Sequence, residues 1–306
     1  MKLRSLLLLA GLALTGFAHS QSVYTITGTN LNTYDATGPA VAFASTPITG
    51  LTAGDVVMGM DFRPANGALV VLTNNAGTGR LYTLSVSSGV ATLLSTLAAD
   101  PADATAPYTG LAGASFGTDF NPVPDRLRVV SDTGQNLRIN VDTGATTTDG
   151  ALNGATASIQ ASGYTNAFAG ATSTTLYGIN GATDSLYTQV PPNDGTLVLT
   201  GTLGVDTSNL IGLDILTNNG NLSNTAYAAL QVGGSTSLYT VSLTSGAASL
   251  VGTLGVGGLP IQGFAVRAGA PGGLGASGVP TFGTTGLVLL GLLLGAFALV
   301  VIRQSR

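Results

Sequence analysis

Leu81-Tyr82-Thr83-Leu84, Leu186-Tyr187-Thr188-Gln189 and Leu238-Tyr239-Thr240-Val241 are one short segment written three times, and their spacing decides the fold. Weaker copies stand at Leu31-Asn32-Thr33-Tyr34 and Leu137-Arg138-Ile139-Asn140. The leading leucines fall at 31, 81, 137, 186 and 238, so successive copies lie 50, 56, 49 and 52 residues apart. Recurrence at such a period marks a repeat architecture and outranks local propensity. Each copy runs into a turn: Asp35-Ala36-Thr37-Gly38, Ser87-Ser88-Gly89, Asp142-Thr143-Gly144, Asn193-Asp194-Gly195 and Thr244-Ser245-Gly246. These are hairpin residues, and a short apolar segment follows each, as at Ala91 to Leu94 or Ser249 to Val251.

Two further segments precede each copy. The nearer set is Val23 to Ile26, Leu69 to Leu72, Leu127 to Val130, Leu176 to Ile179 and Ala226 to Leu230. The farther set is Gly59-Met60-Asp61-Phe62, Gly117-Thr118-Asp119-Phe120, Thr165-Asn166-Ala167-Phe168, Gly212-Leu213-Asp214-Ile215 and Gly263-Phe264-Ala265-Val266. Four short strands per unit of about 50 residues make the blade of a β-propeller. The first unit lacks its farther strand, and the spare copy, Ile261 to Arg267, stands alone at the end. Circular closure resolves both oddities. The sequence therefore predicts an all-β fold over residues 21–267, a five-bladed β-propeller of twenty strands closed by its C-terminal strand. A β-helix would repeat at a far shorter period. An outer-membrane barrel needs strands of about 9–11 residues, longer than these segments.

Composition narrows the chemistry. Charged residues are 8% of 306, against a usual fraction of about 25%. Cys, Trp and Glu are absent, the only Lys is Lys2 and the only His is His19. Residues 1–20 read as a secretory signal peptide: Lys2 and Arg4 lead an apolar stretch that ends at Ala18-His19-Ser20, a small-x-small cleavage site. Without them the chain has no Ser-His-Asp triad, no Cys nucleophile, no Schiff-base Lys, no His or Cys metal site and no disulfide. Up to residue 270 the domain carries six Arg and fourteen Asp, a formal −8, which excludes nucleic acid as a partner.

At the other end, Gly286 to Ile302 is an unbroken apolar run that ends at Arg303-Gln304-Ser305-Arg306. At 1.5 Å per residue it reaches about 25 Å, enough for a transmembrane helix over 286–302 with the arginines cytoplasmic. A Gly/Ala-rich linker, 268–278, precedes it. Val279-Pro280-Thr281 with Gly286, the apolar run and the basic end resemble the IPTL-type C-terminal protein-sorting domain of Gram-negative bacteria. Phe282 and Thr285 depart from that pattern. The resemblance covers 279–306 and implies recognition by an exosortase-like protease, or else a plain membrane anchor.

The most distinctive stretch of the domain runs from Gly117-Thr118-Asp119-Phe120-Asn121-Pro122 through Asp125-Arg126-Leu127-Arg128-Val129-Val130-Ser131-Asp132-Thr133-Gly134-Gln135-Asn136-Leu137-Arg138. It resembles the bacterial family known as domain of unknown function 4394, over residues 23 to 267. The resemblance implies an exported propeller-like domain and brings no established activity.

Two clusters are candidates for chemistry. Asp119, Asn121, Asp125, Arg126, Arg128, Asp132, Gln135, Asn136 and Arg138 concentrate half of the domain's arginines in one blade. They form either a ligand site, with arginines clamping a carboxylate or sulfate and Asp and Asn receiving sugar hydroxyls, or an Asp–Arg network that ties two blades together. Asp61, Asp119 and Asp214 take the same place in three innermost strands, where Ala167 and Ala265 stand in the other two. The apolar residues after them, Phe62, Phe120, Phe168, Ile215 and Val266, face the opposite way. Three axial carboxylates are a candidate Ca²⁺ site or caps on backbone amides; no other cofactor is indicated.

Three functions fit. One is a non-catalytic module of the cell envelope or surface that binds a glycan or a protein. Another is a hydrolase or lyase that acts on an extracellular polymer through Asp and Arg. The last is a purely structural envelope component. All three place the protein outside the cytoplasm of a Gram-negative bacterium, delivered by the export machinery and membrane-anchored, surface-bound or released.

Overall fold

A computed structural model describes residues 21–218, 221–255 and 259–268. Five antiparallel sheets follow one another along the chain. The first blade consists of Gly263–Ala268, Gln21–Thr27, Asn30–Asp35 and Ala44–Pro47, named from the axis outward. The second is Val56–Phe62, Leu69–Asn75, Thr78–Leu84 and Ala91–Thr96; the third is Phe116–Asn121, Arg126–Ser131, Asn136–Ile139 and Ala145–Thr148. The fourth is Ala161–Tyr164, Leu176–Asn180, Ser185–Gln189 and Thr196–Thr202, and the fifth is Gly212–Asn218, Ser223–Val232, Ser235–Val241 and Ala248–Thr253. The C-terminal strand does close the ring: Val266 pairs with Val23 and Gly263 with Ile26.

Both faces of each blade are buried, because each faces a neighbouring blade. Alternate residues of a strand therefore go to different cores. In the second blade Val70 and Leu72 pack toward the third, while Leu69 and Val71 pack toward the first. In the fifth, Ala226, Ala228 and Leu230 join the fourth, while Tyr227 and Ala229 join the first. The apolar runs of the second strands follow from this two-sided burial.

Chain connections cover the outer edges, which would otherwise be open to pairing. After leaving each of the first three blades, the backbone runs briefly parallel to the outermost strand of the next. Thr49 bridges Val90, Ala98–Ala99 pairs with the strand Ala145–Thr148, and Asn153–Gly154 pairs with the strand Thr196–Thr202. Gly144 permits one of these approaches. Its φ is 77°, and a Cβ there would run into the Thr96 carbonyl oxygen.

One expected strand is misplaced. The innermost strand of the fourth blade is Ala161–Tyr164, not Thr165–Phe168. Tyr164 lies opposite Leu176 as Phe120 lies opposite Leu127, so Tyr164 holds the apolar place assigned to Phe168, and Gly163 the place assigned to Ala167. The strand stops because Asn166 is left-handed, at φ 57°, and the connection 165–175 turns away toward the fifth blade. The leader 1–20, the linker beyond Ala268, the sorting motif Val279, Pro280, Thr281 and Gly286, and the span 286–302 lie outside the described residues. Among those described, no helix is long and apolar enough to cross a membrane.

Close approach around the axis depends on small residues. Gly59, Gly117, Ala161, Gly212 and Gly263 share one register position in the five innermost strands. A Cβ on Gly212 would collide with the Phe264 side chain across the closing junction. Gly212→Ala is expected to destabilise the domain by about 1–3 kcal/mol through overpacking, read as a lower urea midpoint. An unchanged midpoint would contradict the close contact of the first and fifth blades.

Candidate functional site

Two residues further along the same strands, the five blades present Asp61, Asp119, Gly163, Asp214 and Ala265. The next residue in each strand, Phe62, Phe120, Tyr164, Ile215 or Val266, has its N–H bonded to one of the three carboxylates. Asp61 accepts from Phe120 of the following blade (2.8 Å) and from its own neighbour Phe62 (2.6 Å). Asp119 accepts from Tyr164 of the following blade (2.9 Å). Asp214 accepts from Val266, across the closing junction (2.6 Å), and from its own neighbour Ile215. The division has a reason. Ala265 and Gly163 offer no acceptor to the blades after them, and Asp61 and Asp214, which head those blades, turn back to take the amides left over. Three carboxylates thus satisfy five buried amides, one per blade.

The carboxylates themselves are crowded. All three are buried, with one oxygen of each within 4.8 Å of the others, close enough to converge on one cation. Burial pushes the Asp61 and Asp119 carboxyls well above the ordinary carboxylate range, and repulsion within the trio adds to it: Asp214 acts on Asp61, and Asp61 and Asp214 act on Asp119. Burial lifts Asp214 to about 6, opposed by the Val266 and Ile215 amides. Like charges this close and this dry do not all ionise together, so the trio shares protons or takes a cation.

The nine residues of the other cluster do not converge. Arg128, 1% exposed, reaches Asp149 (2.6 Å), Asn136 (2.8 Å), Asn193 (2.7 Å) and the Tyr164 hydroxyl (3.3 Å), joining the third blade to the fourth. Asn136 also donates to the carbonyls of Gly150 and Pro192, and Arg138 pairs with Asp149. Asp125 receives Arg63 from the second blade at 2.6 Å. Asp132 accepts from the Ala114 amide and Gln135 bonds Ala112 and Gly110, which holds one connecting loop. Asn121 accepts from the Val123 amide and Arg126 donates to the carbonyls of Pro124 and Asp125, both within their own turn. Asp119 belongs to the axial trio.

A cavity opens at each end of the axis. The one where the innermost strands begin, about 290 Å³, has no charged lining residue. The one where they end, about 380 Å³, has Asp61 and Asp214 in its lining, with Phe62, Phe168, Arg63 and Arg267 around them. Arg63 is engaged by both Asp125 and Asp142, each at 2.6 Å, which more than balances its charge. Arg267 is exposed, lies 5.3 Å above the Phe62 ring and has no ion-pair partner among the described residues. Phe168 arrives on the connection that displaced the expected strand. That connection is tied down where the Asn166 and Ala167 amides donate to Asn224 and Thr217 of the fifth blade, both at 2.8 Å. Sequence reasoning passed over Arg63, Arg267 and the mouth they frame. The signal was present: each directly follows the apolar residue that ends its innermost segment, Phe62-Arg63 and Val266-Arg267.

The domain of unknown function DUF4394 matches residues 30–265. The chain belongs to that family. No curated protein matches it in sequence. Among solved structures, the DUF4394 chain is similar to one from a nidogen/laminin complex, at 10% identity over 82% of this chain and 100% of that one, with a TM-score of 0.48. It is also similar to a protein of unknown function from Bacteroides thetaiotaomicron VPI-5482, at 14% identity over 76% and 64% of the two chains with a TM-score of 0.43. The glutaminyl cyclase of Myxococcus xanthus matches at 13% identity over 69% and 71%, with a TM-score of 0.36. Likenesses this distant carry no argument about activity.

The axial trio makes the stability of the DUF4394 domain pH-dependent. A carboxyl whose pKa is raised on folding stabilises the fold below its unfolded pKa, and that stabilisation is lost as pH rises through the folded value. Asp55, Asp103 and Asp142 are shifted down and act the opposite way, losing their contribution only in stronger acid. Stability is therefore expected to be greatest near the unfolded carboxyl pKa, about 4, and to fall as the pH rises from there through about 6, the folded value for Asp214. Melting temperatures across that range check it; Asp119→Asn should flatten the alkaline side. Removing the central guanidinium with Arg128→Met should lower unfolding free energy by about 3–5 kcal/mol, because it strips a buried carboxylate of one partner. Arg126→Ala, which breaks only bonds within its turn, should change it by less than about 0.5 kcal/mol.

Proposed function

We propose that this DUF4394 protein is an exported, non-catalytic binding module of the Gram-negative envelope or surface, and that it holds a glycan in the mouth framed by Arg267. One observation carries the reading: a cleft of about 380 Å³ has two aromatic rings and an exposed arginine at its wall, above carboxylates already engaged by backbone amides. Aromatic faces receive sugar rings and an arginine fork receives oxyanions. The floor carboxylates hold the blades together, which suits recognition better than turnover. The leader 1–20 and the tail 279–306 support the location. In this reading the export machinery delivers the chain, and the 286–302 helix anchors it or presents Val279-Pro280-Thr281 to an exosortase-like protease.

A second reading has a specific observation in its favour. Asp214, raised to about 6, borders the cleft beside Asp61, as an acid–base pair would in a polymer hydrolase or lyase. Incubating the exported protein with a polysaccharide panel should give binding without new reducing or unsaturated ends. Turnover that disappears in Asp214→Asn would replace the binding reading with the catalytic one. Calcium is the remaining occupant for the trio: added Ca²⁺ that raises the melting temperature at about pH 8, and fails to do so in Asp119→Asn, would make it the resident ion. Intact mass with fractionation into membrane, surface and medium tests the location. A chain that keeps residues 1–20 in the cytoplasm overturns export.

A further inference from the structure

Resting on the glycan reading above, we infer that the ligand of the Arg267 mouth is an acidic sugar, with one carboxylate on Arg267 and its ring against Phe168. Charge disposition within the cleft selects this class. Two guanidinium groups line the mouth, and only one is available. Arg63 is held in paired bonds by Asp125 and Asp142: Nη2 to Asp125 at 2.6 Å and Nη1 to Asp142 at 2.6 Å. With two aspartates on one guanidinium, that group carries a net charge of −1 and offers no cation to a ligand. Arg267 has the Phe62 ring beneath it and no carboxylate partner among the described residues. Ring stacking leaves the guanidinium edge, with its N–H donors, free for a planar oxyanion. Phe62 itself packs against Tyr24 of the first blade in a T-shaped pair, with ring centroids 5.1 Å apart.

The groups facing this seat are few enough to name. Asp61 and Asp214 form the floor, Asp119 stands behind them, Arg63 with its two aspartates borders one side, and the 167–169 segment of the fourth blade brings no charge. A neutral sugar would leave Arg267 without a counter-charge. A second carboxylate deep in the cleft would meet the axial trio. One anionic group at the wall, with hydroxyls directed to the floor, satisfies both constraints. Protonation of the floor carboxyls below about 6, the value for Asp214, reduces repulsion further, so affinity should weaken as pH rises through it.

The decisive comparison uses one sugar with its acid exposed or masked. The full chain is titrated with trigalacturonate and with its methyl ester, which has the same rings and hydroxyls but no charge. Binding of the acid at least about tenfold tighter than the ester is expected. Arg267→Gln should abolish that difference with the melting temperature unchanged, and Arg267→Lys should restore part of it. Equal binding of acid and ester, unaffected by Arg267→Gln, overturns the acidic-sugar inference and leaves the glycan reading standing. No binding of either compound, or of any member of the polysaccharide panel, overturns both. Should Arg267→Gln fail to fold, Phe168→Ala on the adjoining connection serves in its place, and retained full affinity in that variant overturns the seat.

Discussion

Five backbone amides point at one level of a narrow axis, and each needs an acceptor. That requirement organises the centre of the molecule. An unpaired buried amide costs about 1–3 kcal/mol, so leaving all five bare would remove much of the stability of a single domain. Side chains at the preceding position supply the acceptors, and three suffice because a carboxylate has two oxygens. Asp61 and Asp214 each bridge two blades' amides, while Asp119 takes only Tyr164. The acidity that makes this capping effective also prevents the three from ionising freely in so small a volume. Closure of the ring and protonation of its centre are therefore one problem.

Away from the axis, the same economy of charge is applied to the joints. In a domain with six arginines, four are fixed in contacts that stop blades sliding or hold one blade's own strands: Arg63 to the third blade, Arg128 to the fourth, Arg80 to Asp55 and Arg138 to Asp149. Aliphatic clusters at every junction contribute most of the burial, but they are non-directional. Hydrogen-bonded guanidinium groups add the register that Ala, Val and Leu alone would leave loose. Junctions without an arginine use neutral pairs, Asn166 with Asn224 and Tyr227 with Gln21. Arg267 stands apart from this pattern, which is why it attracts a functional assignment.

Much of this architecture was legible in the linear chain, and the exceptions have physical causes. The Leu-Tyr-Thr period and the orphan strand 261–267 were enough for the blade count and the closure, because strand order in a propeller is local in sequence. Thr165–Phe168 misled because its phenylalanine mimics Phe62 and Phe120. The true counterpart, Ser162-Gly163-Tyr164, has neither Asp nor Phe, and its equivalence shows only in its pairing with Leu176 and Tyr177. Arg128 was visible as a charged residue, but its role depends on Asn193, 65 positions away on another blade. The two-residue parallel strands have no pattern to read; they exist because an outer edge needs covering.

A ligand at the Arg267 mouth would not act on an inert floor. Asp61 and Asp214 line that cleft and also bind the amides of Phe120 and Val266 in the neighbouring blades. Any occupant that prefers them protonated must, by reciprocity, raise their pKa values, and by the same linkage it stabilises the closed ring. An occupant that prefers them ionised, as a cation does, lowers their pKa values and stabilises the ring at higher pH instead. The axial trio thus couples what the mouth holds to how firmly the first strand of the domain stays married to the last.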